Sequence, residues 1–354
     1  MNDLYLIEHH KIMYHPEKLF QWLKAKDNWQ IAKKFYPVYV EISLSGICNH
    51  RCKFCALDYL GYNRGFADFK NLRKAIKDMA KAGVKSICFS GEGEPLLFPK
   101  AKEIIDYAKS LGIDTALVTN GTYLKKELLP SLTWLKVSID AGTAKTHMEI
   151  HRPRINDFGK IMANLEEAVK AGTKCTIGGQ MILLPDNYKE AGILAKKLRK
   201  IGLDYLVIKP YSHNEKSITQ EYKNISYDEY LYMKDELEKL STKKFQVIFR
   251  QEAMRKTGLK RDYKRCLAVP FFWAHIMTNG DVYSCGNYLG DKRFNLGNYN
   301  KQTFKQIWEG EKRKKHFEFM KNFDARKCRP SCRMDGINRY LEELSSPPKH
   351  VNFI

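Results

Sequence analysis

Ile47-Cys48-Asn49-His50-Arg51-Cys52-Lys53-Phe54-Cys55 is the stretch on which the reading of this chain turns. Its cysteines follow a C-x3-C-x2-C pattern. Thiolates are soft ligands suited to iron–sulfur clusters or zinc. A structural zinc site or a closed four-iron cluster takes four protein ligands, and only three cysteines are close. His50 lies between two of them and is expected on the surface. Three thiolates would leave one iron open to a small molecule, which makes this loop a place for chemistry. A structural zinc loop is the alternative.

Working outward, the loop follows an apolar run at residues 38–44 that reads as a strand. A helix is expected next, with Phe69, Leu72, Ile76 and Met79 at helical spacing. Strands follow at residues 85–90, 115–119, 135–139, 176–184 and 205–208, with helices between them. Gly83, Gly112, Gly172 and Gly202 each follow a helix, where a left-handed cap is needed. Six strands alternating with helices imply a parallel sheet with right-handed crossovers. Ligands of such sheets bind at the C-terminal ends of the strands. After residue 210 the alternation stops. Residues 226–240 look helical, and 245–250 and 271–285 look like strands, with a hairpin turn at Asn279-Gly280-Asp281.

With that context the cysteine loop resembles the signature of the radical S-adenosylmethionine (SAM) superfamily, over roughly residues 38–210. The resemblance implies a partial (β/α)6 barrel of parallel strands. It implies a [4Fe–4S] cluster on Cys48, Cys52 and Cys55 whose open iron chelates SAM. Reductive cleavage of SAM would then yield a 5′-deoxyadenosyl radical. Phe54 resembles the aromatic residue that family members carry beside the adenine. Ser90-Gly91-Glu92-Gly93-Glu94-Pro95 resembles the turn that supports the SAM amino group, with Glu92 where the strict form has glycine. Gly91, Gly93 and Glu94 are therefore expected at SAM. Ser138 and Asp140 alternate by two, so both are expected on one face, and they resemble a ribose-binding pair. Asn120 ends the third strand near where a methionyl group would lie, and Arg152 resembles a residue that contacts the SAM carboxylate. Ile177-Gly178-Gly179-Gln180 resembles a glycine-rich stretch that supports adenine, although Gln180 has no counterpart in that motif.

A second group of cysteines comprises Cys266, Cys285, Cys328 and Cys332, the first two spaced C-x13-G-x4-C. Four thiolates complete a four-iron cluster, and a zinc knuckle is the alternative. The first part resembles the SPASM/Twitch class, whose C-terminal domain holds auxiliary clusters; four cysteines imply one such [4Fe–4S] cluster. The expected organisation is an N-terminal extension at 1–37, the partial barrel at 38–210, and a small cysteine-ligated domain at 211–354. Cys88 and Cys175 are left over. Each reads as a core residue, or, by the resemblance, as a hydrogen-atom donor to a substrate radical, with Cys88 the nearer to the site.

The chain has 354 residues and a net charge of +21, from 61 basic and 40 acidic residues. This excess attracts anions, but the run Lys312-Arg313-Lys314-Lys315 reads as a solvated helix face, and a nucleic-acid partner is not expected. No segment approaches the ~20 unbroken apolar residues of a membrane span. The N-terminus lacks a signal-peptide pattern, and a cytoplasmic protein is expected. Nine cysteines there favour metal ligation over disulfides. The resemblance implies an enzyme that abstracts hydrogen from a small polar substrate, a carbohydrate or nucleotide sugar, for oxidation or epimerisation. It also implies a reducing donor such as flavodoxin or ferredoxin. Peptide modification is the alternative enzyme reading; only 37 residues precede the first strand, too few for a peptide-recognition domain. A non-catalytic two-cluster electron carrier is the alternative of another class.

Overall fold

The computed structural model describes residues 4–7 and 9–353. Its strands are β1 (Tyr39–Ile42), β2 (Ser45–Ile47), β3 (Asn63–Phe66), β4 (Ser86–Phe89), β5 (Asp114–Thr119), β6 (Trp134–Ser138), β7 (Thr176–Leu183), β8 (Tyr205–Pro210), β9 (Gln246–Phe249), β10 (Trp273–Ile276), β11 (Asp281–Tyr283) and β12 (Asn295–Asn298). Ten of them form one sheet in the order β12-β11-β10-β1-β4-β5-β6-β7-β8-β9, and β2 pairs with β3 as a separate hairpin. The run from β10 through β1 to β9 is parallel, while β11 and β12 are antiparallel. The six expected strands are β1 and β4–β8.

The sheet continues past residue 210. β9 adds to β8, and β10 adds to the far side of β1. The strands expected at 245–250 and 271–285 thus extend the barrel sheet and carry the second cysteine region into contact with β1. The turn at Asn279-Gly280-Asp281 is present, with Gly280 at φ +91°.

Each crossover helix follows from its apolar stripe. Phe69–Lys81 buries Leu72, Ala75, Ile76 and Met79. Asp68 caps it by accepting from Asn71 N at 2.8 Å, and Gly83, at φ +86°, turns the chain out. Alternation along the strands then separates two faces. Val40, Ile42, Ile87, Phe89, Leu206 and Ile208 face the helices in the main core. Glu41, Cys88, Lys136, Ser138 and Lys209 lie on the opposite, inner face.

A second core joins the chain ends. Trp22 and Phe35 pack with Phe271, Phe272 and Phe317. Arg313 lies in this core and corrects the reading of its run as a solvated face. It is 1% exposed, and its guanidinium donates to the carbonyls of Ala32, Phe35, Pro270 and Trp308 against the Trp308 ring. The planar fork suits four carbonyls from three segments.

Candidate active site

The first cysteine loop leaves β2 and returns in β3. It is docked on the C-terminal end of the helix Ala144–His151: Arg51 N donates to His151 O at 3.0 Å and Lys53 N to Ile150 O at 2.9 Å. All three thiols lie together and are largely covered. Burial, then the neighbouring Cys48 and Cys55, hold the Cys52 thiol well above its ordinary range. Burial and Glu94 push Cys48 up to about 12, and burial also raises Cys55. Mutually repelling, desolvated thiols of this kind become thiolates only beside a cation, as metal ligation supplies.

The second group has the same character. Burial and Cys332 raise Cys266 to about 12 and Cys285 further. Asn338 Nδ2 donates to Cys266 Sγ at 3.6 Å, while its Oδ1 accepts from Leu267 N and Ala268 N. Tyr288 OH and Cys328 Sγ are 3.1 Å apart. A tetrahedral zinc with bonds of ~2.3 Å would draw its sulfurs to within about 4 Å. Among the described residues no three of these thiols gather within 4.8 Å.

Only the trio His50, His147 and His151 gathers so closely among the described residues. His50 is 1% exposed, which corrects its expected place on the surface. Its Nε2 lies 2.8 Å from Asp157 Oδ2 and its Nδ1 3.2 Å from His151 Nδ1. His151 Nδ1 in turn lies 3.4 Å from Cys52 Sγ. A buried imidazole network thus backs the cysteine loop: His147 and His151 stand four apart on one helix face, and His50 joins them from the loop.

The turn at Ser90–Pro95 packs under the loop. Gly93 has no room for a side chain, since a Cβ there would strike the backbone of Ile47, and Gly91 sits at φ +122° against Ser43. Glu94 is 2% exposed. It accepts from Thr119 Oγ1 at 2.6 Å, Asn120 N at 2.8 Å and Leu96 N at 3.0 Å, so it ties the turn to the end of β5. Asn120 Nδ2 donates to Asn49 Oδ1 at 2.8 Å, which links β5 to the cysteine loop. Glu92 accepts from Thr278 N at 2.8 Å. The residue that departs from the family pattern therefore fastens the turn to the β10–β11 hairpin.

Ser138 stands on the inner face, where Gln180 Nε2 donates to its Oγ at 3.1 Å; Gln180 thus holds the Ser138 hydroxyl. Asp140 does not share that face. β6 ends at Ser138, and Asp140 adopts φ +57°, so strict alternation fails. Its Oδ1 accepts from Ile182 N at 2.5 Å and its Oδ2 lies 3.1 Å from His151 Nε2. It is 0% exposed, and no surface is left for a ribose. Phe54 is buried with Ile150, Ile182 and Tyr211, edge-on to His151. Arg152 is exposed at the C-cap of Ala144–His151.

Cys88 lies on the inner face, where burial and Glu41 raise its thiol to about 11. Cys175 belongs to the helix-side core. Glu41 is a hub the sequence did not signal. It accepts from Ser90 Oγ at 2.5 Å and from Arg333 at 2.8 Å. Since Arg333 follows Cys332, this ion pair binds the two cysteine regions together. Between them lies a cavity of about 160 Å³ lined by Leu57, Gly91, His275, Asn287, Cys332 and Arg333.

Comparison with known proteins agrees with this geometry. Residues 42–198 match the family model of the radical SAM superfamily, and residues 266–333 match the SPASM iron–sulfur cluster-binding domain. An S-adenosylmethionine-dependent nucleotide dehydratase of Lacinutrix mariniflava is 35% identical over 114 residues, 30% of this chain and 24% of that protein. The AdoMet-dependent heme synthase of Methanosarcina barkeri is 27% identical over 305 residues, 79% of this chain and 84% of that protein. Streptococcus suis SuiB bound to its precursor peptide SuiA shares the fold, with a TM-score of 0.62 at 18% identity, over 84% of this chain and 69% of SuiB. The chain spans only 24–50% of the length of three of its curated relatives, the Lacinutrix mariniflava dehydratase among them. The matched domains bring a SAM-binding [4Fe–4S] cluster, SAM and an auxiliary iron–sulfur cluster, and the two sets of thiols offer soft ligands of the kind such clusters take. The chain thus carries a radical SAM domain at residues 42–198 and a SPASM-type iron–sulfur cluster-binding domain at residues 266–333.

Proposed function

We propose that the protein cleaves SAM reductively and abstracts a hydrogen atom from a small polar substrate, a carbohydrate or nucleotide sugar, which it oxidises or epimerises. The observation that carries this reading is the convergence of the Cys48–Cys55 loop, the Glu94 turn and Ser138 at one end of the sheet. In this reading Cys48, Cys52 and Cys55 hold the SAM-binding cluster, and Cys266, Cys285, Cys328 and Cys332 hold the auxiliary one. Residues 38–210 form the SAM-binding unit and 211–354 the auxiliary-cluster unit, behind an extension at 1–37. When bound, the first cluster and SAM supply a hydrogen-abstracting 5′-deoxyadenosyl radical.

The chain's own residues do the rest. Glu94 and Asn120 fix the turn that borders the SAM amino group. Ser138, held by Gln180, offers a hydroxyl to the ribose. Asp140 fixes His151 behind Cys52. The helices and the second core keep water from the helix side of the sheet. In this reading Cys88, on the inner face beside Glu41, returns a hydrogen atom in an epimerisation. The nucleotide specificity of the dehydratase relative and the polar inner face support a small polar substrate.

The test is anaerobic reconstitution, with iron counted and 5′-deoxyadenosine measured after reduction by dithionite or flavodoxin. Wild type should hold two four-iron clusters and release 5′-deoxyadenosine. Replacing Cys48, Cys52 and Cys55 with Ala should leave one cluster and no release. A wild type that loads both clusters but never releases 5′-deoxyadenosine would make the chain an electron carrier. Modification of a peptide, and of no sugar tested, would replace the substrate reading.

A further inference from the structure

The cavity of about 160 Å³ between the two cysteine regions has hydrogen-bonding nitrogens in its wall that the fold leaves unused. Trp273 and His275 stand two apart on β10, in register with Tyr39 and Glu41 of β1. Both therefore share the inner face, and both line the cavity. They are 4% and 3% exposed. Trp273 Nε1 and His275 Nδ1 are buried with no hydrogen-bond partner among the described residues. Glu41 Oε2 lies 3.8 Å from His275 Nδ1, too far for a hydrogen bond. Gly286 borders the same space. A Cβ there would come within 3.0 Å of the Trp273 ring and 3.3 Å of His275 Nδ1, so a side chain at that position would cover the two rings.

Arg329 adds a cation to the wall. Its Nε is buried without a partner, and its Nη1 donates to Ser212 O at 3.4 Å; among the described residues no carboxylate pairs with it. Arg333 is already engaged, donating to Glu41 and to Tyr39 OH, both at 2.8 Å. Glu41 is the one acid of the lining, and Arg333 and Ser90 occupy its two oxygens. The charge of Arg329 is therefore left over. An indole N–H and a guanidinium can only donate. Ser43 Oγ accepts from Glu92 N and lies 3.3 Å from His275 Nε2. With that hydroxyl donating to Nε2, the neutral His275 ring carries its proton on Nδ1 and becomes a third donor. Buried donors without an acceptor are costly until one joins them. Of the candidate ligand thiols only Cys332 lines the cavity, so a cluster on either cysteine group lies beside this space.

We propose that this cavity seats a carboxylate of the substrate, received by Arg329, Trp273 Nε1 and His275 Nδ1. The proposal rests on the reading that a small polar substrate reacts on the inner face, and it narrows that substrate to an acid, such as a sugar acid. An ionised carboxylate only accepts hydrogen bonds, which suits a wall that only donates. Its single charge matches the one cation left over, whereas a phosphate would bring a second negative charge beside Glu41. The volume equals the share of about five water molecules in the liquid, room for a carboxylate and a few carbons. Gly91 of the SAM turn borders the same cavity, so an acid held there stands next to the SAM end of the sheet.

The probe is propionate, with 1-propanol as its neutral counterpart and inorganic phosphate as a second anion. Each is titrated calorimetrically into the reconstituted full-length protein with SAM present. Propionate should bind saturably, one per chain, at least about tenfold more tightly than the other two. Arg329→Met and Trp273→Phe should each weaken it about ten- to hundredfold; the second change removes one N–H and keeps an aromatic ring. Lys312→Met, at an exposed position, should leave it unchanged. Unchanged propionate affinity in either cavity variant would overturn the seat, as would no saturable binding of propionate, or phosphate or 1-propanol binding as tightly. A shift in the auxiliary cluster's midpoint potential in Arg329→Met, at unchanged propionate affinity, would assign Arg329 to the cluster instead. If Arg329→Met fails to load iron, Trp273→Phe decides. Release of 5′-deoxyadenosine by the wild type without propionate reports the proposed reaction separately. Propionate binding without release would overturn that reaction and keep the seat, and release without propionate binding would do the reverse.

Discussion

At Asp140 the backbone turns left-handed one residue past Ile139, and the carboxylate swings onto Ile182 N and His151. Only a residue tolerant of positive φ can do this, and Asp is one of the few. The side chain is then spent on the protein. Asp140→Ala would strand the Ile182 N–H and loosen His151. A buried donor without a partner costs about 1–3 kcal/mol. Denaturant titration should show a loss of that size, and equilibrium dialysis should show SAM affinity little changed. A loss of SAM affinity of about tenfold or more at unchanged stability would return Asp140 to the ribose. Gln180 makes the complementary point. It matched no motif, yet it orients Ser138, because an amide can reach across from the neighbouring strand of a parallel pair.

The elements around the second cysteine group are short: the turns at Gly286–Tyr288 and Ala325–Lys327, and the helix Asp335–Ser345. They hold ligands through side-chain bonds, whereas Cys285 comes directly after the paired strand β11. Asn338 on the helix holds Cys266, and Tyr288 reaches Cys328. Once Cys328 is a thiolate ligand, the Tyr288 hydroxyl donates to it. A donor on a ligand sulfur stabilises the reduced, more negative cluster. Tyr288→Phe should therefore lower the midpoint potential of the auxiliary cluster in a redox titration followed by electron paramagnetic resonance, with iron content unchanged. A potential that rises or stays fixed would place Cys328 outside the cluster. The hairpin turn at Gly280 was readable from Asn-Gly-Asp, whereas Tyr288 and Asn338 lie far from their partners in sequence and had no local signal.

Over the whole molecule, the ends of the chain share one core. The N-terminal helices and the C-terminal region bury Trp22, Phe35, Phe317 and Leu341 together, and Arg313 ties three segments. His316, on the same helix, is 3% exposed. Its Nδ1 faces Arg293 O at 3.0 Å. Burial lowers its pKa from 6.5 to about 4. The folded state therefore keeps His316 neutral after the unfolded chain has taken up a proton. Stability from this residue is full above pH 6.5 and falls as the pH drops to about 4, by an amount on the order of 3 kcal/mol. Denaturant midpoints measured against pH should show His316→Leu falling less steeply than wild type in that window and in parallel with it elsewhere. Identical slopes would mean that His316 titrates normally. No helix among the described residues is long and apolar enough to cross a membrane.

The local code of this sequence determined the α/β alternation, the helix stripes and their glycine caps, the Gly280 turn, and both cysteine groups with their soft-ligand chemistry. Those features depend on residues close in the chain, where spacing converts directly into a face or a ligand set. Tertiary structure alone decided the rest. The second cysteine region joins the barrel sheet because β10 finds its hydrogen-bond partners on the open edge of β1, a pairing more than 200 residues apart in sequence. His50 and Arg313 are buried because their polar atoms meet groups from distant segments.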